Sequence, residues 1–135
     1  MRGNRIVLDA SAVIAMIQAE PGGDRVEALL DEVELGANRE IFIGTVNWCE
    51  ILTRLQRDRI DLTSDWLTSV LPFVEVVPFA MHDAEGSAAM AMKCPSLSVG
   101  DRACLALAQS RGATAWTTDR IWTQLGHGVP VEILR

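Results

Sequence analysis

Acidic residues follow apolar runs at several points of this sequence, in the positions where α/β proteins carry ligand-binding side chains. Asp9 comes directly after the run RIVL, and Asp119 follows the later run TAWT. Asp101 opens a helical segment that is apolar on most sides, and Glu50 lies on the flank of another apolar stripe. Carboxylate oxygens are the ligands that Mg²⁺ and Mn²⁺ prefer. If these side chains meet, they form a site for a divalent cation.

Bringing four carboxylates together has an electrostatic cost that needs a reason. Two carboxylates about 4 Å apart repel by about 4 kcal/mol at an effective dielectric constant of about 20. Such a group therefore requires protons or cations. Paired divalent cations are also a known means of hydrolysing phosphodiester bonds. The pattern favours a metal site that contains Asp9, Glu50, Asp101 and Asp119.

Each of these acids also has an ordinary structural explanation. Asp9, Asp101 and Asp119 precede or begin predicted helices, where aspartate stabilises the free N–H groups of the first turn. Glu50 and Arg54 have the i, i+4 spacing of a helical ion pair. A capping role and a ligand role are compatible, because a cap fixes the orientation of the carboxylate. Taken together, the acids favour the metal site.

Segments with strand periodicity alternate with segments of helical periodicity along the chain. Strands are predicted over Arg5–Leu8, Glu40–Gly44, 73–77, Thr114–Thr117 and 131–134. Helices are predicted over 10–18, 24–35 with Asp24 as the cap, 46–57, 63–71, Met81–Lys93, 99–110 and 120–125. This alternation predicts a mostly parallel sheet of four or five strands with helices on both faces. Ligands bind beyond the carboxyl ends of such strands, where the acids described above are expected.

The composition indicates one domain over residues 1–135. The chain is 49% hydrophobic and 22% charged, which excludes a disordered protein and is enough for one core. The net charge of −6 excludes a protein that coats nucleic acid by bulk positive charge. It leaves open a nucleic-acid enzyme with an acidic site and locally placed arginines.

The cysteines and the N-terminal segment bear on the cellular compartment. Cys49, Cys94 and Cys104 form no C-x-x-C pair, so we expect small buried side chains rather than a disulfide framework or a zinc site. The apolar run over residues 6–17 is interrupted by Asp9, is too short to span a bilayer and lacks a following cleavage site. We therefore expect a cytoplasmic protein without a membrane partner.

Four motifs, in order and covering nearly the whole chain, resemble those of the PIN-domain ribonucleases. They are VLDASA, WCEIL, LSVGDRACLALA and TTDRIW. The most specific part is SVGDRACLALA followed closely by TTDR. Within that family the likeness is greatest to the VapC-type toxins of bacterial type II toxin–antitoxin pairs.

The resemblance implies a PIN-like three-layer α/β sandwich and a metal-dependent endoribonuclease that hydrolyses RNA phosphodiester bonds with metal-activated water. Asp9, Glu50, Asp101 and Asp119 would be catalytic and would hold one or two Mg²⁺ or Mn²⁺ ions. The hydroxyls of Ser11 and Thr117 would orient the carboxylates, although local turn or cap hydrogen bonds explain them equally well.

The resemblance also implies macromolecular partners. A toxin of this type is silenced by a cognate antitoxin and forms homodimers and toxin–antitoxin hetero-oligomers. The helix over 24–35 and the helix after Glu50 are amphipathic enough to line an antitoxin groove. For the RNA, Arg54, Arg102 and Arg120 lie near the acids in sequence and are expected to contact phosphates. Arg57 and Arg59 are nearby, but solvated surface charge explains them better.

Two alternatives differ from this assignment. A receiver-type phosphoacceptor domain would need paired acids after the first strand and a lysine after a late strand, whereas this chain has only Asp9 there and its one lysine, Lys93, at a helix end. A catalytically silent PIN-like module that binds RNA or protein would share every motif. Metal-dependent cleavage that is lost in Asp101→Asn distinguishes an enzyme from a silent module.

Overall fold

A parallel sheet forms the centre of the computed structural model, which describes residues 4–58 and 62–135. Its five strands are β1 (Arg5–Leu8), β2 (Glu40–Gly44), β3 (Val74–Val77), β4 (Thr114–Thr117) and β5 (Val131–Ile133). They are arranged in the order β3-β2-β1-β4-β5, and every neighbouring pair is parallel. The predicted mostly parallel sheet is therefore confirmed.

Helices cover both faces of this sheet. They are α1 (Ala10–Ile17), α2 (Gly23–Glu34), α3 (Thr45–Asp58), α4 (Ser64–Val70), α5 (Met81–Lys93) and α6 (Val99–Arg111), and a 3-10 helix spans Arg120–Gln124. Helices α1 to α4 contribute to one hydrophobic core, and α5, α6 and the 3-10 helix contribute to a second core. The predicted elements agree with these bounds to within one residue at each end.

The two cores lie on opposite faces because successive side chains of a strand point in opposite directions. In β1, Ile6 and Leu8 pack into the core of α1 to α4, whereas Val7 packs into the core of α5 and α6. All three side chains are buried, and burial of each stabilises the fold by about 1.5–3 kcal/mol. The three-layer sandwich expected from the sequence is thus confirmed.

The sheet topology brings the ends of β1 and β4 together. Leu8 of β1 is in register with Trp116 of β4, and the backbone N–H of Asp9 donates to the Trp116 carbonyl at 2.9 Å. Asp9 and Thr117 therefore leave neighbouring strands at the same edge of the sheet. This edge is formed by the carboxyl ends of parallel strands, which is where the sequence predicted a ligand site.

Two local predictions were wrong. Helix α2 is capped by Gly22 in a left-handed conformation (φ 94°) rather than by Asp24, which lies in the first turn. A side chain at Gly22 would collide with Leu134, so packing as well as backbone conformation requires glycine there. Cys49 is exposed, whereas Cys94 and Cys104 are buried as expected.

Arg59 lies outside the described residues. Within the two described ranges, every helix falls short of the length and hydrophobicity that a membrane span requires.

Candidate active site

An open cleft of about 520 Å³ lies at the carboxyl edge of the sheet. Residues of α1, α3 and α6 line it, together with a residue after β4 and one after β5. The lining includes the side chains of Asp9, Ser11, Glu20, Cys49, Glu50, Arg54, Arg57, Asp101, Thr118 and Arg135. Three of the four predicted acidic residues therefore share one cavity.

Asp9 occupies the N-cap position of α1, but its side chain makes no capping hydrogen bond. Its Oδ2 instead accepts hydrogen bonds from Ser11 Oγ at 2.6 Å and from Thr117 Oγ1 at 2.9 Å. Asp9 as a whole residue is only 5% exposed. The Asp9 side chain therefore does not cap α1, which was the structural role that the sequence allowed for it.

Backbone groups after β4 orient the two hydroxyls that contact Asp9. Ser11 Oγ accepts from the N–H of Thr118 at 3.1 Å, and Thr117 Oγ1 accepts from the N–H of Asp119 at 3.1 Å. A hydroxyl accepts a hydrogen bond through a lone pair and donates through its one proton. Each of the two hydroxyls can therefore accept from the backbone and still donate its O–H to the carboxylate. The chain segment after β4 therefore determines how Asp9 is held.

Glu50 is held by a residue that the sequence analysis missed. The Nδ2 of Asn47, which is fully buried in α3, donates to Glu50 Oε1 at 2.8 Å and to the Gly100 carbonyl at 3.1 Å. A Cβ at Gly100 would collide with the Glu50 carboxylate, so only glycine permits this approach of α6 to α3. The sequence did offer one signal for Asn47: it is a polar residue on the inward face of α3, one turn before Glu50.

Asp101 projects from the first turn of α6, and a different residue caps that helix. Ser98 is the N-cap, and its Oγ accepts from the Asp101 N–H at 3.1 Å. Because Ser98 supplies the cap, the Asp101 carboxylate is available to the cleft that it lines.

Asp119 differs from the other three acids. Its side chain is exposed and caps the 3-10 helix, with Oδ1 accepting from the Ile121 N–H at 3.1 Å. It is not among the residues that line the cleft. Its charge nevertheless acts on Asp101, whose pKa it raises. Asp119 thus lies at the margin of the site.

Burial and neighbouring charge raise the pKa values of the carboxylates in the cleft. Burial raises the pKa of Asp9 to about 6; the charges of Asp101 and Glu50 add to this rise, while the hydrogen bonds from Ser11 and Thr117 oppose it. Burial also raises the pKa values of Glu50 and Asp101, and the charge of Asp101 adds to the rise at Glu50.

The buried thiol of Cys104 lies within reach of the same charges. Burial raises its pKa well above the usual range, and the charges of Asp9, Asp101 and Glu50 raise it further. Negative charge is therefore concentrated at this edge of the sheet.

The donor set suits a hard divalent cation because every candidate ligand is a carboxylate oxygen. Within residues 4–58 and 62–135, no group of three or more His, Cys, Asp or Glu side chains is arranged so that it could hold a metal ion. Mg²⁺ usually keeps several waters and binds proteins through one or two carboxylates. The residues present therefore fit the chemistry of such an ion, although they do not form a closed cage.

The arginines expected to contact RNA lie in different surroundings. Arg54 lines the cleft together with Arg57. Arg102 is partly buried, and its Nη1 donates to the Ser87 carbonyl of α5 at 3.2 Å. Arg120 Nε donates to the carbonyl of Arg135 at 3.1 Å. Neither Arg102 nor Arg120 is among the lining residues.

Comparison with solved structures shows the same fold in several toxin–antitoxin complexes. A chain of VapBC2 from Rickettsia felis, bound to a promoter DNA fragment, has a TM-score of 0.74 at 13% identity, with 97% of this chain and 99% of that chain covered. A toxin–antitoxin complex from Klebsiella pneumoniae gives 0.71 at 17% identity, with 96% and 98% covered. VapBC-5 from Mycobacterium tuberculosis gives 0.59 at 24% identity, with 98% of each chain covered.

The comparisons by sequence give one family. No curated protein matches this chain. The family model of the PIN domain matches residues 6–128, which include all four predicted acidic residues and both hydroxyls that contact Asp9. The match covers most of the chain and agrees with the motifs that the sequence displays. The chain therefore belongs to the PIN domain family.

Proposed function

We propose that this chain is a single PIN domain over residues 1–135 that acts in the cytoplasm as a metal-dependent endoribonuclease, the toxin of a toxin–antitoxin pair. The observation that carries the proposal is the grouping of Asp9, Glu50 and Asp101 around one open cleft, where the charge of Asp101 adds to the raised pKa values of both Asp9 and Glu50. Structural carboxylates gain nothing from such a grouping, whereas a divalent cation that assists phosphodiester hydrolysis requires carboxylate ligands.

Asp9, Glu50 and Asp101 would hold one or two Mg²⁺ or Mn²⁺ ions, with one or two of these carboxylates and several waters on each ion. When bound, such an ion stabilises negative charge on the phosphate and activates water for hydrolysis. Asp119 would support the site from its margin, through the effect of its charge on Asp101.

The neighbouring polar groups hold the carboxylates in place before the substrate binds. Ser11 and Thr117 both donate to Asp9 Oδ2, and Asn47 donates to Glu50 Oε1. Partners of this kind fix the orientation of metal-binding side chains and are often nearly as important as the ligands themselves. Loss of one of them should therefore reduce activity without unfolding the protein.

The distribution of charge in the cleft supports RNA as the substrate. The acids Asp9, Glu50 and Asp101 are buried or partly buried, whereas Arg54 and Arg57 are exposed at the rim. Exposed guanidinium groups bind phosphates by charge-assisted hydrogen bonds. The arginines would hold the backbone of an RNA strand above the acids that would bind the metal ions.

Purified protein and a mixed-sequence RNA test the nuclease proposal. We expect cleavage in Mg²⁺ or Mn²⁺, none in EDTA, and a loss of at least a hundredfold in Asp101→Asn. The control is Asp65→Asn, which removes an exposed carboxylate that lies in the first turn of α4 and does not line the cleft. RNA binding without cleavage in any divalent ion would identify the silent module instead.

A second groove, of about 390 Å³, suits an antitoxin. The apolar side chains of Met16, Ile17, Leu30, Trp66, Val70 and Pro72 line it, together with the acidic groups of Glu27, Asp31 and Glu34. Apolar grooves with an acidic rim bind segments that carry apolar anchors and basic residues. The solved complexes with this fold contain a toxin and its antitoxin, so we assign this groove to an antitoxin segment of that composition.

Charge reversal tests this groove in a complex co-expressed with the antitoxin. The variant Asp31→Lys should weaken the complex at least tenfold and release nuclease activity, since Asp31 lines the groove and is exposed. Glu85→Lys reverses an exposed charge on α5 and should leave the complex intact. Equal affinities for the two variants would place the antitoxin elsewhere.

A homodimer would form at the edge of the sheet that β3 provides. β3 is an edge strand, and Val76, Phe79 and Met81 expose apolar side chains in and after it. Exposed edges with apolar residues favour association between chains. In light-scattering measurements we expect a dimer for the native chain and a monomer for Met81→Lys. A toxin–antitoxin hetero-oligomer would then contain two copies of this chain.

A further inference from the structure

Arg135 is an exposed cation at the cleft that neither the sequence motifs nor the family match includes. It follows β5 and lies beyond the matched stretch, which ends at residue 128. Its side chain lines the same cavity as Asp9 and Asp101. The strand order places β2, which leads into α3, on one side of β1, and places β4 and β5 on the other side. Arg135 thus approaches Asp9 from the side away from Arg54 and Arg57.

The backbone beside Arg135 is anchored by packing and hydrogen bonds. Leu134 is buried, its N–H donates to the Thr117 carbonyl at 3.0 Å, and it packs so closely on Gly22 that a side chain there would collide with it. The carbonyl of Arg135 accepts from Arg120 Nε at 3.1 Å. An anchored backbone reduces the entropy that a side chain loses when it binds a ligand.

The guanidinium of Arg135 is directed toward the residues that hold Asp9. Its Nη2 lies 3.4 Å from Thr118 Oγ1, and the Thr118 N–H donates to the Ser11 hydroxyl that contacts Asp9. This is the one hydrogen bond that the Arg135 side chain makes within the described part of the chain, and it is long for a hydrogen bond. Most of the five N–H donors of the guanidinium therefore remain available to a ligand.

We propose that Arg135 binds a backbone phosphate of a single-stranded RNA substrate, on the β5 side of the cleft, and that Arg120 positions it. The inference rests on the proposed nuclease function and extends it to a substrate contact. A planar guanidinium beside a group of carboxylates binds a phosphate in two-pronged geometry and offsets its repulsion by those carboxylates. Arg54 and Arg57 would hold the strand on the α3 side, so that the RNA crosses above the acids.

Binding of RNA in the absence of cleavage tests this contact. The parent is Asp101→Asn, and the probe is a fluorescein-labelled single-stranded RNA of mixed sequence, titrated by fluorescence anisotropy in Mg²⁺ over a range of salt concentrations. Adding Arg135→Gln should weaken binding at least tenfold, because the charge-assisted contact of the guanidinium with one phosphate is lost. The slope of log K against log salt should become shallower by about 0.7, the value for one phosphate contact to a single strand.

The control is Lys93→Gln, which removes the same charge from the last turn of α5, at an exposed position outside the cleft. It should change neither the affinity nor the slope. Matching affinities and slopes for Arg135→Gln and Lys93→Gln would overturn the inference while the nuclease proposal stands. A parent that does not bind RNA, together with a wild type that does not cleave it, would overturn both.

A double-variant comparison tests the positioning role of Arg120. Arg120→Gln should weaken RNA binding when Arg135 is present and should add no further loss in the Arg135→Gln background. Arg120 contacts the main chain of Arg135, so its effect depends on the side chain that it positions. Equal losses in both backgrounds would show that Arg120 contacts the RNA independently and would overturn the positioning role.

Discussion

The hydroxyl of Thr117 donates to Asp9 Oδ2 at 2.9 Å, although 108 residues separate the two positions in the sequence. The contact exists because β1 and β4 are neighbouring parallel strands whose ends lie at the same edge of the sheet. Thr117 is fully buried, and its hydroxyl also accepts from the Asp119 backbone. The fold itself therefore orients the most buried carboxylate of the site.

Thr117→Val keeps the shape of this side chain and removes its hydroxyl. We expect cleavage to fall about tenfold, because Asp9 loses one of its two donors. The hydrogen bond lowers the pKa of Asp9, so its loss should move the acidic limb of the pH–rate profile upward. Thr117→Ser keeps a hydroxyl and should retain most of the activity and the original profile. Unchanged activity and an unchanged profile in the valine variant would show that this contact has no catalytic importance.

Burial of Asp9 makes the stability of the metal-free protein depend on pH. The pKa of Asp9 is raised from 3.8 to about 6, so the folded state holds a proton that the unfolded state has released between these values. The free energy of unfolding therefore decreases as the pH rises through this range, and the contribution of Asp9 is complete below its unfolded pKa. A rise of this size corresponds to about 3 kcal/mol.

Asp9→Asn removes the titrating group and keeps an amide oxygen that accepts from Ser11 and Thr117. In EDTA at pH 8 we expect the variant to be more stable than the wild type by up to about 3 kcal/mol. At pH 4 the difference should nearly disappear, because the wild-type carboxyl is then largely protonated. Urea unfolding at both pH values measures this. A variant that is less stable than the wild type at pH 8 would contradict the raised pKa of Asp9.

Gly100→Ala tests the close approach of α6 to α3. Alanine is intrinsically favoured over glycine in a helix by about 1 kcal/mol, but here its methyl group would collide with the Glu50 carboxylate. We expect cleavage to fall at least tenfold while the circular dichroism spectrum is retained. Gly86→Ala in α5 is the control, since its methyl group would meet only Ala106 at 3.4 Å and should leave activity unchanged. Equal activities in the two variants would show that Glu50 does not need its present position.

Divalent ions should stabilise the folded protein. An ion that binds only the folded state adds about 2.7 kcal/mol at a concentration of a hundred times its Kd, which raises the Tm of a domain of this size by about 10 °C. We expect this rise with Mn²⁺ or Mg²⁺ in the wild type and in Asp65→Asn. It should be absent from Asp9→Asn. A wild-type melting curve that is independent of divalent ions would argue strongly against the metal site.

The regular elements were predictable because local pattern and tertiary environment agree. The runs RIVL, EIFIG and TAWT form buried central strands, and their apolar character follows directly from helices on both faces. The position of Asp9 followed from the rule that ligand sites lie beyond the carboxyl ends of parallel strands, whereas Asp119, which also follows a strand, lies at the margin. Asp101 was grouped with Asp9 from its place at the start of a helix. Both side chains line the cleft.

Side-chain partners that depend on tertiary packing were not predictable. Arg102 adjoins Asp101 in sequence, yet helix rotation turns its guanidinium to the Ser87 carbonyl of α5. Asn47 and Arg135 reach the site only through the packing of α3 on α6 and of β5 on β4. Cys49 precedes Glu50 and borders the cleft because the apolar stripe of α3 faces the other way. These side-chain positions depend on how the helices and strands pack together, so no local sequence spacing predicts them.

Mapping of RNA 5′ ends in a bacterial host, after a brief induced pulse of this chain and beside Asp101→Asn, tests the central claim most directly. The nuclease proposal predicts new ends concentrated at a small number of positions with the wild type and their absence with the variant. Those positions would also identify the target RNA and the cleaved sequence. An unchanged profile of RNA ends from soluble, folded protein would contradict the claim and would identify the chain as a silent PIN-like module that binds without cutting.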